Sequence, residues 1–89
     1  MFTGIIEEVG TVAKLGDFKL TINASKVLED QKMGDSIAVN GCCLTATKVT
    51  KRGKSRGFQF DLLRETWDVT NLSALCLGSA VNLERAMAL

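Results

Sequence analysis

Apolar and polar residues alternate cleanly in two stretches of the chain. In "FKLTINA", Phe18, Leu20 and Ile22 alternate with Lys19, Thr21 and Asn23, and in "FQFDLL" Phe58, Phe60 and Leu62 share one face. A period of two is the mark of a half-buried strand. Residues 3 to 14, "TGIIEEVGTVAK", mix β-branched residues with glycine and predict a long strand bent near Gly10. Gly16-Asp17 predicts the turn of a first hairpin. "DSIAVN", "CLTATKVTK" and "AVNLERA" predict three further strands, with Asn40-Gly41 a turn between the first two of these. Ser25 stands where it can cap a short helix, "KVLEDQKM", stopped by Gly34. "RETWDVTNLSAL" spaces Thr66, Trp67, Leu72 and Leu75 as short helical turns do. Six strands in 89 residues, with short helices at two connections, predict an all-β fold: a small closed six-stranded antiparallel barrel, because closure removes exposed edges. Residues 1–89 form one domain with no internal repeat and no linker.

Composition narrows the chemistry more than the fold. Hydrophobic content of 46% and charged content of 24% are those of an ordinary globular domain. A net charge of +1 gives no global field toward nucleic acid or an anionic membrane. The longest apolar runs fall far short of the roughly 18 residues of a spanning helix. "MFTGIIEEVG" has no basic n-region and two glutamates where a signal peptide would be apolar, so a cytoplasmic location is expected. Three cysteines are an odd set and argue for reduced thiols. The chain has no histidine, which removes the usual proton shuttle and any triad or zinc site built on it.

Candidate chemistry centres on "AVNGCCLTATKV". In a strand, Cys42 and Cys43 point to opposite faces, one to the barrel interior and one out. Both can be small buried hydrophobes, or one can serve a ligand. Adjacent thiols do not readily chelate one ion, and Cys76 is a lone third ligand, so a metal site is not expected. Thr45, Thr47 and Thr50 are good strand residues; their hydroxyls equally suit the rim of a site for a polyhydroxylated or heterocyclic ligand. Asp61, Glu65 and Thr66 in "DLLRETW" are either helix caps or acceptors for sugar-like hydroxyls. The basic loop "KVTKRGKSR" lacks interleaved aromatics and reads as a solvated hairpin tip rather than a nucleic-acid groove.

The blocks "MFTGIIEEVGTV", "SIAVNGCCLTAT", "FDLLRETW" and "VNLERAM" resemble, in order and over nearly the whole chain, the N-terminal domain of the riboflavin synthase family. "MFTGI", "NGCCLT" and "ETxxxTNL" are jointly very specific; residues 25 to 33 and the loop 51 to 56 match least. The resemblance implies a six-stranded Greek-key barrel that binds 6,7-dimethyl-8-ribityllumazine and riboflavin, with no cofactor and no metal. It implies an enzyme of two similar barrels, usually a trimer, that moves a four-carbon unit between two lumazines to give riboflavin and a ribitylamino-pyrimidinedione. It puts Phe2, Thr3, Gly4 and Ile5 beside the ring system, with backbone groups around Gly4 and Ile5 bonding to it. It puts Thr45 at the pyrimidine side, and Glu65 and Thr66, with Asp61, on the ribityl chain. Cys43 falls at the ring as the residue tied to turnover, with Phe2 in the same catalytic set. A thiol of ordinary pKa, near 8.5, is a few per cent thiolate at neutral pH, enough to add to an electrophilic ring carbon or to assist water in doing so.

The sequence stops at "NLERAMAL", where the first barrel of that family closes, and the family's second, histidine-bearing repeat has no counterpart in it. This suggests an N-terminal domain of a longer enzyme, whose neighbour would be the C-terminal barrel of another subunit. Alone, such a barrel is expected to pair with itself as a homodimer holding one ligand per barrel, with little turnover. A flavin or lumazine carrier without catalysis is the alternative that the same architecture allows.

Overall fold

The computed structural model describes residues 2–63 and 71–87. Six strands, β1 (Glu8–Gly16), β2 (Lys19–Asn23), β3 (Ser36–Val39), β4 (Cys42–Thr50), β5 (Gly57–Asp61) and β6 (Ala80–Arg85), close into a barrel. Every pairing is antiparallel, and the order around the barrel is β1-β2-β5-β4-β3-β6. The predicted all-β barrel is therefore the observed one.

Alternation builds the core. Leu20 and Ile22, Ile37 and Val39, Leu44 and Ala46, Phe58 and Phe60, and Val81 and Leu83 all point inward, joined by Val12. The Phe58 and Phe60 rings stack with centroids 5.9 Å apart. Val27, Leu28, Leu62 and Leu72, from the connections, complete the same cluster. Bulges in β1 between Val12 and Lys14 and in β4 between Ala46 and Lys48 bend the ladder, as closing a small barrel requires. At Gly57 any Cβ would collide with the Ile22 carbonyl of β2, so the close approach of β5 to β2 needs glycine there.

Three expectations change. The strand predicted from residue 3 begins at Glu8. Gly4 has a φ of +84°, which interrupts an extended run, and residues 3–7 instead lie as a strap over β6. The predicted helix after Ser25 shrinks to a 3-10 turn, Lys26–Leu28, and Ser25 makes no side-chain cap. Glu8 does that work from β1: its carboxylate accepts from the Ser25 and Val27 amides at 2.8 and 2.9 Å. Three residues suffice to drop Val27 and Leu28 into the core, and Asp30, with a φ of +63°, turns the chain away. Phe18, expected on the inner face of β2, is a turn residue and 47% exposed. Asp17 and Phe18 both adopt positive φ, the tight-hairpin geometry that matches strand twist, so the turn falls one residue later than predicted. In the second helical stretch a 3-10 turn, Asn71–Ala74, is present; residues 64–70, with Trp67, lie outside the described residues.

Candidate functional site

The side chains between the core positions of β3 and β6 face outward. On β3 these are Ser36 and Ala38, flanking inward Ile37; on β6 they are Asn82 and Glu84, flanking inward Leu83. Register lines them up across the barrel wall. Ala38 stands between Cys43 of β4 and Glu84 of β6, and Ser36 pairs with Thr45 of β4. One outer face, β4-β3-β6, thus carries Cys43, Thr45, Ser36, Ala38, Asn82 and Glu84.

The N-terminal strap crosses this face and is fastened to it. The Glu84 carboxylate accepts from the Thr3 amide at 2.7 Å, the Thr3 hydroxyl at 2.7 Å and the Gly4 amide at 3.1 Å. The Thr3 Oγ1 in turn accepts from the Ile5 amide at 3.1 Å. Glu84 is 8% exposed although it points away from the core, because the strap covers it. Its hydrogen bonds, that from the Thr3 hydroxyl foremost, hold its carboxyl below the usual carboxylate range. Glu7 forms the second fastening. Its carboxylate accepts from the Arg85 amide at 2.8 Å and makes a two-point pair with the guanidinium at 3.1 and 2.8 Å. The Arg85 side-chain hydrogen bond, followed by its backbone amide, lowers the Glu7 pKa to about 2.

Alternate strap residues line two depressions. Thr3, Ile5 and Glu7 border one of about 790 Å³ that also reaches Gln31, Ser36 and Arg85. Gly4 and Ile6 border one of about 500 Å³ over Ala38, Asn40 and Asn82. Glu84 lies in both linings, beneath the ridge that separates them. Each is of the size range in which small-molecule sites fall.

The Asn-Gly turn and the paired thiols divide their work. Asn40, at a φ of +48°, accepts at Oδ1 from the Asn82 amide at 2.7 Å and donates its own amide to the Asn82 carbonyl at 2.9 Å. The turn therefore ties β3 to β6. Cys42 is half-buried and packs on the core; burial, followed by the neighbouring Cys43, pushes its pKa up. Cys43 is exposed on the outer face. The alternation read from sequence is the one observed.

Of the residues singled out by sequence, Thr3, Gly4 and Ile5 border the depressions, Cys43 and Thr45 stand on the same outer face across β3 but border neither depression, and Phe2 is half-buried at the start of the strap. The amides of Thr3 and Gly4 are already engaged by Glu84 of β6 and that of Ile5 by the Thr3 hydroxyl, so donation to a ligand from Gly4 or Ile5 requires an exchange of partners. Asp61 borders neither depression: it is exposed at the end of β5, opposite Lys19. It leaves the β4-β5 ladder one residue beyond the Ala46–Phe60 pair, the end at which Thr45 also points outward. Glu65 and Thr66 lie outside the described residues. Sequence reasoning missed Glu84, Glu7, Arg85 and Ser36. Glu84 occupies an outward strand position where a charged residue is unremarkable, and only the covering strap reveals its role.

This closed barrel, with a strapped and thiol-bearing outer face, belongs to the lumazine binding domain family, which it matches over residues 3–86. It is 53% identical to the riboflavin synthases of Bacillus subtilis and Actinobacillus pleuropneumoniae and 48% identical to that of Mycobacterium bovis, over 99%, 99% and 100% of this chain. The chain spans 41%, 41% and 45% of the lengths of these curated relatives.

Proposed function

We propose that this barrel binds 6,7-dimethyl-8-ribityllumazine and riboflavin on the outer face of β4-β3-β6, with the N-terminal strap as one wall. The observation that carries this reading is that the strap residues Thr3, Gly4 and Ile5, which border the depressions, share one outer face of a lumazine binding domain with Cys43 and Thr45 of β4, far away in sequence. The ring system lies beside the strap and Thr45, whose hydroxyl donates and accepts at the pyrimidine edge. The ribityl chain runs toward Asp61, Glu65 and Thr66, where carboxylates accept from its hydroxyls. Phe2 packs on the ring and Cys43 meets its electrophilic carbon, adding as thiolate or assisting water.

In a riboflavin synthase the reaction moves a four-carbon unit between two lumazines, with one serving as carbanion and one as acceptor. Orientation supplies a large part of such a rate. One barrel holds one ligand, and a self-paired homodimer would offer two identical environments in place of distinct donor and acceptor sites. The 1–89 chain should therefore bind lumazine yet form riboflavin slowly. Riboflavin appearance per site, measured for this chain beside a two-barrel riboflavin synthase, tests this: comparable rates would make the single barrel a complete enzyme. Flat ligand fluorescence and unmoved protein NMR shifts at millimolar riboflavin would rule out the binding role itself.

A further inference from the structure

We infer that Glu84 is a positioning residue of the ligand site, acting through Thr3 and Gly4 to set the strap that shapes both depressions. The inference rests on the lumazine-binding reading and adds to it a residue whose part is to hold other residues in place.

Glu84 points away from the core yet is buried, and its two oxygens are committed to one short segment: Oε2 to the Thr3 amide and hydroxyl, Oε1 to the Gly4 amide. An apolar side chain would hold a covering segment by burial, without fixing where along the strand that segment sits. A carboxylate that receives three directed bonds fixes its register as well as its attachment. The consequence falls on the site, because the strap is the shared wall: Thr3 and Ile5 face one depression, Gly4 and Ile6 the other. The second fastening, Glu7 with Arg85, keeps the strap's far end on β6 if Glu84 is removed. Loss of Glu84 therefore loosens residues 2–6 and leaves the barrel closed.

The test titrates riboflavin and lumiflavin, a flavin without the ribityl chain, into wild type, Glu84→Gln and Glu84→Ala. Glu84→Ala should weaken both flavins by about the same factor, near tenfold, as loss of charge-assisted bonds that set a ring-facing wall predicts. Glu84→Gln, which keeps the shape and one acceptor oxygen, should lose less. Thr3→Val added to Glu84→Ala should weaken binding by less than the two single changes combined, since they share the hydroxyl–carboxylate contact. Thr3 and Gly4 amide signals should move in the variants while those of Phe58 and Phe60 stay in place, which separates strap release from unfolding. Should Glu84→Ala prove unfolded, the isosteric Glu84→Gln decides alone. Unchanged affinities with displaced Thr3 and Gly4 signals would overturn the inference while leaving the binding reading intact, as would a loss confined to riboflavin. A wild-type chain that binds neither flavin would overturn both.

Discussion

The barrel interior and the N-terminal strap are held by different physics. Inside, Phe58, Phe60, Leu20, Ile37, Leu83 and their neighbours are buried by non-directional apolar contact. Over β6, the strap leaves Ile5 68% and Ile6 54% exposed and is held by two carboxylates, Glu84 and Glu7. Apolar burial tolerates small shifts; directed, charge-assisted bonds set a position. The difference teaches that this chain places its stability in the interior and its geometric precision on the outer face where the ligand is proposed to sit.

The two regions should break differently. Phe60→Ala should show the largest effect, a loss of about 3 to 5 kcal/mol of stability by urea denaturation, because it empties a fully buried ring position. Glu65→Ala should leave the fold intact and weaken ribityl ligands by about one to two decades, as removal of a charge-assisted hydrogen bond of about 1.5 to 3 kcal/mol requires. Lumiflavin should bind that variant almost as it binds wild type; equal loss for both flavins would point to a structural role.

Acid should separate the strap from the core. Glu7 falls from an ordinary 4.5 to about 2, and Glu84 is also lowered. Each carboxylate therefore contributes its full stabilisation above the unfolded-state value near 4.5; the Glu7 contribution fades as pH falls toward about 2, and that of Glu84 fades as pH falls through its own lowered value. Between those limits the amide signals of Thr3, Gly4 and Arg85 should move, ahead of those of Leu20 and Phe60; movement of all together would mean the strap and the barrel are one cooperative unit. The smallest effect is expected at the loop tip. Lys54→Ala should change stability by less than about 0.5 kcal/mol and leave flavin affinity unaltered at any salt concentration.

The interior was readable from sequence because strand alternation is a local signal: Leu20 and Ile22, Phe58 and Phe60, and the opposed faces of Cys42 and Cys43 follow from a period of two. The strap was not readable. "TGIIEE" has strand-like residues, and only tertiary contact with Glu84, some eighty positions away, turns it into a cover. The same limit explains the helix after Ser25, whose capping comes from Glu8 on another strand. Phe18 fails for a different reason: the hairpin needed two left-handed residues and took an aromatic as the second. Of the proposed site, the "NGCCLT" side was legible through alternation plus family likeness. The β6 side was not, because "NLERA" carries its acidic residue where a strand's exposed face would carry one anyway.

The strapped outer face of β4-β3-β6 is proposed as the ligand site, with the barrel behind it as scaffold. An amide shift map recorded during riboflavin titration of the 1–89 chain tests it most directly. The largest shifts are expected at Thr3 to Ile6, Ser36 to Ala38 and Cys43 to Thr45, with Lys14, Thr21 and Gln59 on the β1-β2-β5 side almost unmoved. Shifts concentrated at Lys14, Thr21 and Gln59, with the strap silent, would contradict it.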